Sequence, residues 1–177
     1  LPADAVEHSD RQCIYLSSLS LDRHLTMNLD PILIPTKVAK PGMIVSEVFA
    51  ECIRANIPGI PFCDAQGTIC GRITLKNILK KACLPEYMIE LARILGDQLS
   101  CMGDMEAKAK QLMNNPVDPY ILEPHISLTS DSPAVKALAL MEQNDTSYIF
   151  VVDEGRYKGV ITIQGLARMI TQFDERH

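Results

Sequence analysis

The chain has 177 residues, 47% of them hydrophobic and 22% charged, with a formal net charge of -5. That apolar content supports a full core in one domain or in a compact pair of small ones, and it excludes wholesale disorder. The acidic balance and the lack of a dense Lys/Arg stripe exclude nucleic-acid binding driven by phosphate neutralisation, and no apolar run approaches the roughly 20 residues that span a bilayer.

Residues 1–29 read as a polar N-terminal segment without a signal-peptide pattern. Within it, Gln12–Leu16 reads as a short strand and Ser20–Met27 as one or two helical turns, with Ser20 at the N-cap. A Pro-punctuated stretch, Asp30–Met43, follows. Val45, Val48, Phe49, Cys52 and Ile53 then recur at helical spacing. GIPFCD, ending at Asp64, is short and apolar, the pattern of a buried strand. A turn leads to a second strand, TICGRIT, ending at Thr74, and Ile78 and Leu79 begin a closing helix.

Residues 84–117 form a helical connecting segment. Met88, Leu91, Ala92, Leu95 and Leu99 share one face of a first helix, with Pro85 in its first turn and Gly96 weakening its end. A second helix runs from Asp104 to Met113 and stops at Asn114-Asn115-Pro116. Both stripes are expected to pack against the rest of the chain or a partner subunit.

From Asp118 the pattern repeats. Asp118-Pro119 matches Asp30-Pro31, and Pro124 matches Pro35. Val135, Leu138, Ala139 and Met141 give a helix, YIFVVD and YKGVIT two strands, and Leu166, Met169 and Ile170 a last helix. Asp153, Gly159 and Thr162 answer Asp64, Gly71 and Thr74, with the second turn one residue shorter. The expected class is α+β: two β-α-β-β-α units, residues 30–83 and 118–174, packed as a pseudo-two-fold pair.

The six cysteines include no C-x-x-C and read as reduced, buried thiols of a cytoplasmic protein rather than as disulfides or a zinc site. The four histidines lie outside any acid-rich or Cys-rich motif. There is neither a Walker-type loop nor a G-x-S-x-G turn. No catalytic constellation and no metal site are expected.

The doubled signature resembles the cystathionine-β-synthase (CBS) domain, a family found as tandem pairs called Bateman modules. It consists of a strand ending in Asp, a turn, then Gly, an apolar residue, any residue and Thr before a helix. The resemblance implies a non-catalytic regulatory module, most often a homodimer, that binds AMP, ATP or S-adenosylmethionine between units and controls an effector domain or protein. No cofactor is required. It also implies that Gly59, Ile60 and Pro61 line an adenine pocket and that Thr74 and Thr162 contact phosphate. Physically, a helix N-terminus exposes unpaired N–H groups that attract anions. Lys76 is placed to reach the same phosphate.

The family's ribose-binding Asp is absent from both copies. Asn77 stands there in the first and Gly165 in the second. An amide keeps one acceptor but no charge, and glycine offers nothing. Thr74 and Thr162 also read simply as N-caps, Gly59–Pro61 as core, and Asp64 and Asp153 as turn residues. Two functions therefore stand side by side: an adenine-nucleotide sensor favouring the first cleft, or a dimerisation and interaction module that has lost nucleotide binding.

Overall fold

A computed structural model describes residues 29–84, 86–95, 105–123 and 125–174. The expectations for Gln12–Leu16, Ser20–Met27, Pro85, Gly96 and Leu99 lie outside these residues. The elements run α1 (Val45–Ala55), β1 (Gly59–Cys63), β2 (Ile69–Thr74), α2 (Leu75–Cys83), α3 (Glu86–Leu95), α4 (Met105–Met113), β3 (Ser127–Leu128), α5 (Ala134–Gln143), β4 (Tyr148–Asp153), β5 (Arg156–Thr162) and α6 (Ile163–Asp174). The architecture is α+β, with β1-β2 in one sheet and β3-β4-β5 in the other.

Local chemistry explains the boundaries. Glu47 accepts the Ile44 N–H at 3.1 Å at the start of α1, and Asn56 ends the helix in the left-handed region at φ 52°. The β4–β5 turn places Glu154 and Gly155 at φ 50° and 76°, the two positive angles that a two-residue hairpin turn requires. In the β1–β2 turn, the Asp64 carboxylate accepts the N–H groups of Gln66 and Thr68 at 3.0 and 2.9 Å, as a turn residue should. Asp153 instead accepts the Ser130 N–H at 2.9 Å, which holds its pKa below the usual carboxylate range. β3 lies parallel to β4, but its counterpart in the first repeat is reduced to one bridge, Ala39 with Phe62. Pro41 lacks the N–H that would extend it.

The two repeats exchange their entering segments. Ile34 pairs with Val160 on β5, and Leu122 pairs with Arg72 on β2. Each pairing closes through two backbone hydrogen bonds of 2.9 Å. The motif glycines make this crossing fit. A Cβ on Gly159 would stand 2.6 Å from the Ile34 carbonyl oxygen, and one on Gly71 would stand 2.8 Å from Ile121 Cγ2 and 3.0 Å from the Leu122 oxygen.

The core follows the exchange. Tyr148, Phe150 and Val160 of the second repeat pack in one cluster with Val45, Val48, Ile60, Phe62, Ile73 and Ile78 of the first. Leu29 and Ile32 pack in the other with Met141, Ile149, Val151 and Ile161. Each fully buried aliphatic or aromatic side chain stabilises the fold by about 1.5–3 kcal/mol relative to exposure.

Some stripes face elsewhere than their spacing suggested. Val135 is 73% exposed and Leu138 48%, because α5 turns Ala134, Ala137 and Met141 inward. Ile53 and Ile170 are likewise exposed. In the connecting segment, α4 packs on α1 and buries Leu112. On α3, Leu91 and Ala92 of the expected stripe are exposed rather than packed, and Tyr87, Ile89 and Ile94 also lie open to solvent.

Candidate functional site

Thr74 is the last residue of β2 and the N-cap of α2. Its Oγ1 accepts the Asn77 N–H at 3.1 Å, so its own hydroxyl hydrogen stays free to donate. Asn77 lies in the first turn and donates from Nδ2 to the Tyr120 carbonyl at 2.8 Å. Lys81 reaches the neighbouring Pro119 carbonyl at 2.9 Å. Together these two side chains fasten the 3-10 turn Asp118–Tyr120 onto α2. The free Oδ1 of Asn77 and the Thr74 hydroxyl remain as one acceptor and one donor at the mouth of the helix. Lys76 is exposed beside them.

Gly59, Ile60 and Pro61 are all buried in β1. Strand alternation puts Ile60, which is 0% exposed, on the face opposite Gly59 and Pro61. Gly59 lies too close to the Ile73 carbonyl for any side chain, with a Cβ at 2.5 Å. Pro61 pairs across the sheet with Arg72.

At the equivalent place in the second repeat, Thr162 is buried and its Oγ1 accepts the Gly165 N–H at 3.2 Å. Here the incoming segment packs closely against the helix start. Ile32, 8% exposed, lies against Gly165, where an added Cβ would stand 3.3 Å from the Ile32 Cβ, a tight contact that only a small shift relieves. The first cleft therefore offers Asn77 beneath Tyr120, whereas the second is packed with Ile32 against Gly165. The Thr-capped helix starts survive in both.

Two groups that feel the Arg72 charge, Tyr148 and His125, carried no signal from the doubled motif, and Tyr148 lies opposite Thr162 across its own sheet. Arg72 occupies the motif's apolar position, where the second copy has Val160. Its side chain shares a strand face with Thr74. Burial pushes the Tyr148 phenol up to about 12, with the nearby Arg72 charge opposing that rise. Burial and Arg72 both hold the His125 imidazole below its usual value. The departure of Arg72 from the apolar pattern was the one readable hint.

Elsewhere, Glu51 is 3% exposed and accepts the Lys37 N–H at 2.9 Å and the Arg54 guanidinium at 2.6 and 3.1 Å. The bond from Arg54 lowers its pKa against the cost of burial. This tie holds the incoming segment to α1. On the outer side of α5 and α6, an open cleft of about 410 Å³ is lined by Leu138, Met141, Glu142, Asp145 and Ile163, among others. Among the described residues no group of His, Cys, Asp and Glu is arranged to hold a metal ion, and no helix is long and apolar enough to cross a membrane.

Residues 109–171 match the CBS-domain family model. A 17.7 kDa protein of Acidianus ambivalens is 22% identical over 134 residues, covering 75% of this chain and 66% of its own length, just under two thirds. The crystal structure of the CBS-domain pair of protein MJ0100, in complex with 5-methylthioadenosine and S-adenosyl-L-methionine, is 20% identical with a TM-score of 0.56, covering 83% of this chain and 98% of that one. The structure of CBSX2 in complex with AMP is 16% identical with a TM-score of 0.56, over the same shares of each chain. The matched stretch runs from α4 into α6, and the exchanged segments join it to a first repeat of the same design: the chain carries a CBS domain at 109–171 and has the fold of a CBS-domain pair.

Proposed function

We propose that this chain is a non-catalytic regulatory module that senses an adenine nucleotide in its first inter-repeat cleft. The observation that carries this reading is the Thr74–Asn77 arrangement under the Tyr120 turn, with a free hydroxyl donor and a free amide oxygen at a helix N-terminus. Thr74 and Lys76 would meet phosphate oxygens, Asn77 a ribose hydroxyl, and Gly59 and Pro61 the base. Solved structures with this fold hold AMP or S-adenosyl-L-methionine, which supports the ligand class. Because Ile32 packs against Gly165, Thr162 serves there as a cap, and one ligand binds per chain. Occupancy shifts an equilibrium between packing states of the module, and the shift is relayed to an effector outside these residues. Isothermal titration calorimetry with AMP, ADP, ATP and S-adenosylmethionine tests this. One site per chain is expected, and no heat with any of them at millimolar concentration refutes it.

A second reading rests on the apolar outer faces. Ile53 on α1, Leu79 on α2, Val135 and Leu138 on α5 and Ile163 and Ile170 on α6 are exposed, as in a chain that pairs with a second copy. The module is a homodimer through these helices, whether or not a nucleotide binds. Unpaired thiols at Cys52, Cys63, Cys70 and Cys83 favour a cytoplasmic setting. Sedimentation equilibrium giving the 19.6 kDa monomer mass at high concentration would contradict the dimer.

A further inference from the structure

The outer faces of the two repeats differ where their cores are alike. On the second repeat, α5 and the start of α6 border the open cleft of about 410 Å³. Leu138, Met141 and Ile163 line it, and the exposed carboxylates Glu142 and Asp145 stand beside them. Among the described residues neither carboxylate forms an ion pair. On the first repeat, Ile53 and Asn56 hold the positions of Glu142 and Asp145, and the larger Phe49 holds that of Leu138. Ile53 is 72% exposed there, and Leu79 of α2 also points outward.

The charges differ in the same way. α2 carries Lys76, Lys80 and Lys81 and no acid. Lys81 is taken up by the Pro119 carbonyl, whereas Lys80 is exposed and without a partner among the described residues. Counted over whole elements, α1 and α2 hold four bases against two acids, a formal +2. α5, α6 and Asp145 hold two bases against three acids, a formal -1.

Two copies could set these faces together in two ways. Joining like faces opposes like charges, sets Ile53 against Ile53 and leaves cleft facing cleft. Joining unlike faces brings the apolar Ile53 and Leu79 to the cleft and directs Lys80 toward Glu142 and Asp145. That arrangement buries apolar surface in the middle and pairs opposite charges at the rim, as stable interfaces do.

We infer that the partner of these faces is a second copy of the chain bound head to tail, with the α1–α2 face of one copy on the α5–α6 face of the other. This rests on the homodimer reading above and adds its orientation. A two-fold axis between the copies makes the same contact twice and closes the pair.

Sedimentation equilibrium of the full chain tests the orientation. Lys80→Glu and Glu142→Lys should each weaken the dimer about tenfold, because each reverses one charge in both contacts. Both positions are exposed, so neither change disturbs a core. The two changes in one chain restore attraction between copies and should bring the dimer back to within a few-fold of the parent. Raising sodium chloride to about 1 M, where charges are screened beyond about 3 Å, should weaken the unmodified dimer several-fold. A dimer whose single variants match the parent, or whose double variant is weaker than either single one, overturns the head-to-tail orientation and leaves the homodimer standing. A dimer that tightens with salt, the response of like faces, does the same. A mass that climbs past the dimer with concentration overturns the closed pair. A parent chain that stays at the 19.6 kDa monomer mass overturns both readings and leaves these faces to a different protein.

Discussion

Replacing Gly159 with Ala should destabilise the chain in the absence of any ligand. The added Cβ would lie 2.6 Å from the Ile34 carbonyl oxygen and 3.0 Å from its carbon. Ordinary contact requires the Ile34 backbone to retreat by most of an ångström. The Val160 N–H to Ile34 and Ile34 N–H to Val160 bonds, both 2.9 Å, cannot survive that retreat. At about 0.5–1.5 kcal/mol each, their loss costs about 1–3 kcal/mol. The lower chain entropy of unfolded alanine returns about 0.4–1 kcal/mol. The net is about 1–2 kcal/mol, or roughly 2–8 °C in melting temperature for a chain of this size. Urea titration followed by circular dichroism measures it. Gly155→Ala is the contrast: its Cβ meets nothing within 4 Å, and its cost, about 1 kcal/mol, comes only from φ 76°. Gly71→Ala should behave like Gly159→Ala, since it presses on Ile121 and Leu122. If Gly159→Ala stays within about 0.5 kcal/mol of the parent, the exchanged segment is not held where we describe it and the argument fails.

Other outcomes follow from the same geometry. Glu51→Gln should cost about 1–2 kcal/mol, modest because Arg54 is largely exposed and screened. The folded pKa of Glu51 is depressed, so its stabilisation is fully present above the unfolded value near 4.5 and is lost as pH falls through the folded value. Acid titration of Glu51→Gln should lack that part of the slope, and identical acid limbs would refute the tie. Gly165→Asp should not create a second nucleotide site, because its Cβ would press on Ile32 at 3.3 Å, and a calorimetric stoichiometry of two per chain would show the packing wrong. Cys52 is 1% exposed with its thiol pushed up to about 12, so an aromatic disulfide reagent should label it only on global unfolding, and rapid labelling in the native state would contradict its burial.

The order of helices and strands, the turn role of Asp64 and the caps at Thr74 and Thr162 were legible along the chain, because each depends on residues within a few positions of one another. Hydrogen bonds such as Asn77 N–H to Thr74 Oγ1 at 3.1 Å are set by local spacing alone. The doubled motif likewise carried the symmetry of the pair and the class of fold.

What tertiary structure decided is everything that crosses between repeats. The Thr of each copy suggested a phosphate contact, whereas Gly71 and Gly159 are small because a segment from the other repeat lies against them. The exposed face of α5 went against its periodicity because apolar residues lie on nearly every side of that helix, and only packing selects which side is covered, whereas α6 buries Leu166 and Met169 as its spacing indicated and leaves only Ile170 of that stripe exposed. Asn77 and Gly165 could be seen to differ in the sequence. That one lies under Tyr120 and the other under Ile32 depended on two segments roughly ninety residues apart trading places, a pairing no local pattern encodes because its two strands share no sequence neighbourhood.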